Sequence, residues 1–196
     1  VRNKAEDTIM TTNNYALELS NVIDTTRYTK LVRSLGSQLN DRKDRFDKAD
    51  IIEQSLEVYS NGRLKWVDDI GRDHHDTEKG LDLEFKYLSN GLYTKTGKPK
   101  AVVKVKLKNS LGTNKGTTIE NPADYYVIGQ EDSMAIISSD DVKPYLVSVP
   151  DGIEAHIPRE ALSFVFHPSE VEVDNLAEVS YKEQKRNMQR TLIESI

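Results

Sequence analysis

The sequence predicts one domain of mixed α/β class, read as α+β, with an N-terminal helical region, a mixed central sheet of about five strands flanked by helices, and a closing helix. Three features predict it. Apolar residues recur at helix spacing as far as residue 60; from Leu64 they shorten into runs bounded by turn residues; and 196 residues with 37% hydrophobic content suffice for one core but not for two. In the first part Tyr15, Leu19, Val22 and Ile23, and later Ile51, Ile52, Leu56 and Tyr59, stand at helix-compatible spacings among charged residues. The intervening GSQLNDRKDRFDKAD is polar and reads as a loop or an exposed helix. LKWV, LDLEFKY, AVVKVKL, DYYVIG, MAIIS and YLVSV then read as strands. Asn90-Gly91, Thr96-Gly97-Lys98-Pro99, Asn121-Pro122 and Pro150-Asp151-Gly152 are the turns between them. From Leu176 to Ile196, Val179, Met188, Leu192 and Ile196 among charges predict a C-terminal helix. The chain is thus read as a single unit, 1–196, with 1–60 helical, 61–175 forming the sheet and 176–196 closing it.

Composition narrows the chemistry. The absence of cysteine excludes disulfides, thiolate metal sites and cysteine nucleophiles, so any metal must sit on oxygen or imidazole. No stretch approaches the roughly 18 to 20 apolar residues of a membrane span, so no membrane partner is expected. The opening residues VRNKAEDTIM carry no apolar signal core, and the expected location is the cytoplasm. A net charge of −5 counts, taken alone, against a polyanionic partner. The distribution reverses that. Between Phe85 and Ile119 the only charged residues are lysines, at 86, 95, 98, 100, 104, 106, 108 and 115, while the rest of the chain is strongly acidic. One positive surface on an acidic body suits the binding of a polyanion.

The most informative stretch is GRDHHDTEKGLDLEFKY, Gly71 to Tyr87. If LDLEFKY is a strand, Glu84 and Lys86 project from one face while Leu83, Phe85 and Tyr87 project from the other. The turn-prone EKG upstream predicts a hairpin with a two-residue connection that sets Asp73 opposite Glu84. Two carboxylates beside one ammonium, with the backbone carbonyl of Phe85, offer the hard oxygen ligands that Mg²⁺ prefers. Lys86 is then placed to orient or help deprotonate an attacking water. Acid-x-Lys triplets also occur at Asp41, Asp141 and Glu183, but only that of Glu84 lies in an alternating strand followed directly by the lysine-rich segment.

The order of a strand, a GxDxxD stretch (Gly71, Asp73, Asp76), a short turn and then EFK resembles the catalytic hairpin of the smallest type II restriction endonucleases. These are homodimeric blunt cutters of the PD-(D/E)XK nuclease superfamily. The resemblance covers residues 45 to 150 in order of elements, and Gly71 to Lys86 in residues. It implies a PD-(D/E)XK nuclease core in which Asp73 and Glu84 bind Mg²⁺ and Lys86 serves the attacking water. It also implies a homodimer on double-stranded DNA, its two-fold axis matching a palindromic site. Two departures stand out: Arg72 rather than proline precedes Asp73, and the loop is one residue longer. Asp76 and Asp69 therefore remain alternatives for the first acid.

In AVVKVKLKNS, Lys104, Lys106 and Lys108 alternate with apolar residues and form a row of ammonium groups. Such a row also protects an edge strand against aggregation. Here its neighbours favour DNA: Lys95, Lys98, Asn109, Asn114 and Lys115, with Ser110, Thr113 and Thr117, surround a glycine-rich loop able to reach phosphates or base edges. His74 and His75 are expected beside the site, in reach of phosphate. Asp73-His74-His75 also resembles the motif of the DHH phosphoesterases, which is one alternative; a non-catalytic DNA-binding module is the other. Tyr15, Tyr28, Tyr59 and Trp66 read as core or interface, and the N-terminal helices as scaffold or dimer seam.

Overall fold

The computed structural model describes residues 11–35, 42–69, 72–89, 91–94, 96–109, 122–168, 193, 194 and 196. Three helices come first: α1 (Thr12–Val22), α2 (Thr25–Leu35) and α3 (Arg42–Tyr59). The α1 start is set by Thr11, whose hydroxyl accepts the N–H of Asn14. In α3 the polar stretch up to Asp50 is continuous with the apolar stripe of Ile51, Ile52, Leu56 and Tyr59. The strands are β1 (Leu64–Asp69), β2 (Arg72–Asp76), β3 (Leu81–Tyr87), β4 (Val102–Asn109), β5 (Tyr125–Gly129), β6 (Met134–Ser138), β7 (Leu146–Val149), β8 (Gly152–Pro158) and β9 (Ser163–Phe166). A short helix, α4 (Ser139–Val142), follows β6.

The strands form two sheets, one of six strands in the order β1-β2-β3-β5-β6-β9 and one of three in the order β4-β8-β7. The β3–β5 pair is parallel and every other described pair is antiparallel. The class expected from sequence holds, while nine described strands in two sheets stand where one central sheet of about five is expected. β2 was assumed only as a hairpin arm, and β8 and β9 were not read. The predicted C-terminal helix, 176–196, falls almost wholly outside the described residues; of these, Ile193 is buried and its carbonyl accepts the Tyr59 hydroxyl at 3.1 Å. No helix among the described residues is long and apolar enough to cross a membrane.

Alternation along the strands divides the core between the two faces of the large sheet. On one face Leu83, Phe85, Val127 and Ile136 pack with Tyr15, Leu19, Tyr28, Leu31, Ile52 and Leu56 of the three long helices. On the other, Tyr126, Ile128, Ala135 and Ile137 pack with Val103, Val105, Leu107, Ala155 and Ile157 of the small sheet. β5 is therefore buried on both sides, which explains its unbroken apolar run YYVIG. Gly129 is needed for close approach: a Cβ there would stand 2.6 Å from the Phe85 ring and 2.7 Å from the Tyr28 hydroxyl. Among the described residues none from β1, β2 or β3 belongs to the second core. The small sheet thus packs on β5 and β6.

Candidate active site at the β2–β3 hairpin

The hairpin closes through Thr77–Gly80, four residues rather than the two expected. Gly80 adopts φ +67°, which glycine tolerates, and its N–H returns to the Asp76 carbonyl at 2.8 Å. The ladder then pairs Asp76 with Leu81, His75 with Asp82 and His74 with Leu83. One step further, Asp73 and Glu84 come opposite each other. There β2 gives up its backbone pairing, and the Asp73 carboxylate itself accepts the Phe85 N–H at 2.6 Å. Because a strand residue's N–H and C=O point to the same side, the Phe85 carbonyl is directed toward Asp73 as well.

Glu84 is only 8% exposed, yet its Oε2 is buried without a hydrogen-bond partner among the described residues. Its other oxygen is met by Lys86 Nζ at 3.1 Å. Burial raises the Glu84 pKa above the usual carboxylate range; Lys86 opposes the rise and Asp73 adds to it. A third carboxyl, unread in the sequence, lies against Asp73. Glu53 on α3 accepts the Trp66 indole N–H at 2.9 Å, and its pKa is pushed up to about 9, first by burial, then by the charge of Asp73. A hydrogen bond to Asp73 contributes in the same direction, so one proton is held between the two carboxyls above the ordinary carboxylate range. The only hint in sequence was an acid beside the buried stripe of Ile52 and Leu56, which many surface helices share.

Glu53 yields a prediction. A carboxyl protonated in the fold but ionised in the unfolded chain makes the folded state bind more protons between its ordinary 4.5 and about 9. The metal-free protein should therefore lose stability as pH rises through that window. Glu53→Gln should remove most of this slope and stabilise the metal-free protein at pH 8 by roughly 1–2 kcal/mol, well below full linkage because neighbours relax and water enters. Thermal unfolding in EDTA at pH 6 and pH 8 measures it; an undiminished slope in the variant rejects the assignment.

The remaining candidates are distributed as follows. Asp76, the alternate first acid, is fully buried on the helix face and satisfied there. It accepts the Tyr15 hydroxyl at 2.7 Å, Arg63 Nε and Nη2 at 3.1 Å each, and the N–H groups of Glu78 and Lys79. These bonds outweigh burial and lower its pKa, so Asp76 is a structural anion with no capacity left for a metal. His74, expected to touch phosphate, is likewise fully buried, with Nε2 2.6 Å from the Glu53 carbonyl and its pKa lowered by burial to about 4. It holds α3 against β2 and is out of reach of DNA. His75 lies on the Asp73 face, but its Nδ1 is tied to Asp82 at 2.8 Å, a carboxylate shared with Arg72 at 3.1 Å. The Asp73-His74-His75 string is therefore split between two faces, which removes the basis for a DHH-type centre. The backbone of Asp69 lies in β1; its side chain is outside the described residues.

On β4, Lys104 and Lys106 are exposed on the face of the small sheet turned away from the core, and Lys106 pairs with Asp151. Lys108 is half-buried and Lys98 stands exposed in the tight turn between β3 and β4. Lys95, Asn114 and Lys115, and the side chain of Asn109, lie outside the described residues.

The hairpin offers oxygen donors, the kind of atom a divalent cation takes. An orphaned buried carboxylate oxygen, two acids with raised pKa values and a neighbouring carbonyl are what a cation would relieve. Among the described residues no three acidic or histidine side chains form a ready cage. Mg²⁺ does not need one, because it commonly uses one or two carboxylates together with water and phosphate. No family model matches the chain, and neither a curated protein nor a solved structure proved similar to it.

Proposed function

We propose that the protein is a Mg²⁺-dependent endonuclease acting on double-stranded DNA, of the PD-(D/E)XK kind, cutting at a short palindromic site as a type II restriction enzyme does. One observation carries this reading. Asp73 acts on both Glu84 and Glu53 at the point where β2 leaves β3, with an orphaned Glu84 oxygen and Lys86 beside it. A strand that merely exposed charges would not bury an acid with an unmet oxygen, since such a group costs about 1–3 kcal/mol or more. A mixed sheet packed on helices on one face, with the acid-x-Lys triplet on an interior strand, is in keeping with the nuclease core.

Asp73, Glu84 and the Phe85 carbonyl would hold the Mg²⁺, and Glu53 would join them once its proton leaves. When bound, the ion supplies Lewis-acid polarisation of the phosphate. The protein's own groups do the rest. Glu84 fixes the Lys86 ammonium at 3.1 Å, where it holds the attacking water and faces the negative charge growing on the phosphate oxygens. The water oxygen bonds to phosphorus as the bond to the leaving sugar oxygen breaks; the water gives up a proton and the leaving oxygen gains one. Asp73, braced by the Phe85 N–H, keeps the carboxylates in register with that strand.

A homodimer, each subunit cutting one strand, belongs to the same proposal. The test is incubation of the protein with a long unmethylated duplex in Mg²⁺ or in EDTA. Discrete fragments in Mg²⁺ alone are expected. Binding without cleavage would favour a non-catalytic DNA-binding module, and neither would reject the nucleic-acid reading. Sedimentation showing a monomer both free and on DNA would reject the dimer.

A further inference from the structure

Immediately beyond Lys86 the chain forms one wall of a cleft of about 350 Å³, lined by Tyr87, Leu88, Ser89 and Gly91 on one side and Lys100, Val102 and Lys104 on the other. It lies where the start of β4 stands beside the end of β3. Among the described residues two lysines line it and no acid does. Glu131 and Asp132 act on the Tyr87 phenol, whose pKa is raised mainly by burial, and neither is among the residues that line the cleft. Ser89 is three residues past Lys86, so its Cα lies at most roughly 11 Å from that of Lys86. Successive nucleotides advance about 3.4 Å along a duplex, so an anion seated here falls within about three nucleotides of the bond facing Lys86.

We infer that this cleft seats a phosphate of the nucleic-acid strand being cut, with Lys100 and Lys104 as its cationic contacts. The inference rests on the nuclease reading and makes it more specific. It separates the lysines of β4 by role: Lys104 faces the cleft, whereas Lys106 is neutralised by Asp151. Lys100, absent from the residues singled out in sequence, becomes a substrate contact. The backbone N–H of Lys100 is bonded to the Leu92 carbonyl at 3.1 Å, which fixes the base of its side chain to the cleft wall.

The test compares wild type, the Lys100→Ala/Lys104→Ala double variant and Lys143→Ala. The last removes an exposed lysine paired with Asp140 on another part of the surface. Duplex binding is measured in EDTA across a salt series, and cleavage in Mg²⁺. The double variant should bind the duplex several-fold more weakly, and its log K against log[salt] slope should fall by about one, as for loss of one phosphate contact. Lys143→Ala should match wild type. If wild type cleaves DNA but the double variant keeps its affinity and slope, the cleft proposal is overturned and the nuclease reading stands. If wild type neither binds nor cleaves, both fall; inorganic phosphate shifting the lysine side-chain resonances would then show that the cleft takes free phosphate instead.

Discussion

Replacing Lys86 with alanine is expected to reduce Mg²⁺-dependent cleavage of duplex DNA by roughly two to three orders of magnitude while leaving the fold and duplex affinity in EDTA unchanged. Lys86 is 25% exposed and its ion-pair partner is Glu84 on its own strand, so no ion pair between elements is lost with it. β3 is held by Leu83 and Phe85, which point the other way into the helix core. Loss of the ammonium also removes a charge that lowers the Glu84 pKa. The variant should therefore need somewhat higher pH to reach its residual rate. Single-turnover cleavage against pH, with duplex affinity measured in parallel, separates this from a structural defect. Near-normal cleavage in a folded Lys86→Ala protein would remove the assigned role. Arginine is not expected to rescue, because a planar delocalised guanidinium does not replace a compact ammonium at this position.

The second large effect separates two aspartates three residues apart. Asp76→Ala leaves Arg63, only 9% exposed, without its main carboxylate and takes the acceptor from the buried Tyr15 hydroxyl. Breaking a buried pair in this way costs about 3–5 kcal/mol. For a chain of this size that lowers the Tm by roughly 10 °C. Asp73→Asn should do the reverse: stability equal to or above wild type, since a charge is removed beside Glu84 and Glu53, with cleavage abolished. Thermal unfolding and cleavage assays on both variants decide it. A stable, inactive Asp76→Ala protein would return Asp76 to the candidate metal ligands.

Part of this was legible in sequence, for identifiable reasons. Period-two alternation in LDLEFKY placed Glu84 and Lys86 on one face, and in AVVKVKL it placed the lysines opposite Val103, Val105 and Leu107. The hairpin brought Asp73 to Glu84 even though its turn was misjudged, because Lys79-Gly80 marked a reversal but not its length. β2 resisted reading because RDHHD contains no aliphatic residue; its buried members, His74 and Asp76, are polar groups whose burial rests on partners at Glu53, Tyr15 and Arg63, distant in sequence. Glu53 was hidden for the same reason, since its proximity to Asp73 is purely tertiary. β8 was legible in principle, with Ile153, Ala155 and Ile157 alternating with Glu154 and His156.

The claim on which the rest depends is that the carboxylates at the β2–β3 hairpin hold a divalent cation. The most direct measurement is calorimetric titration of the protein with Mg²⁺ at pH 8, beside Glu84→Gln and Asp73→Asn. Saturable binding by wild type, accompanied by release of protons from Glu53 and lost or greatly weakened in both variants, is the predicted result. No saturable binding to wild type, or binding unaltered by either substitution, would contradict the account.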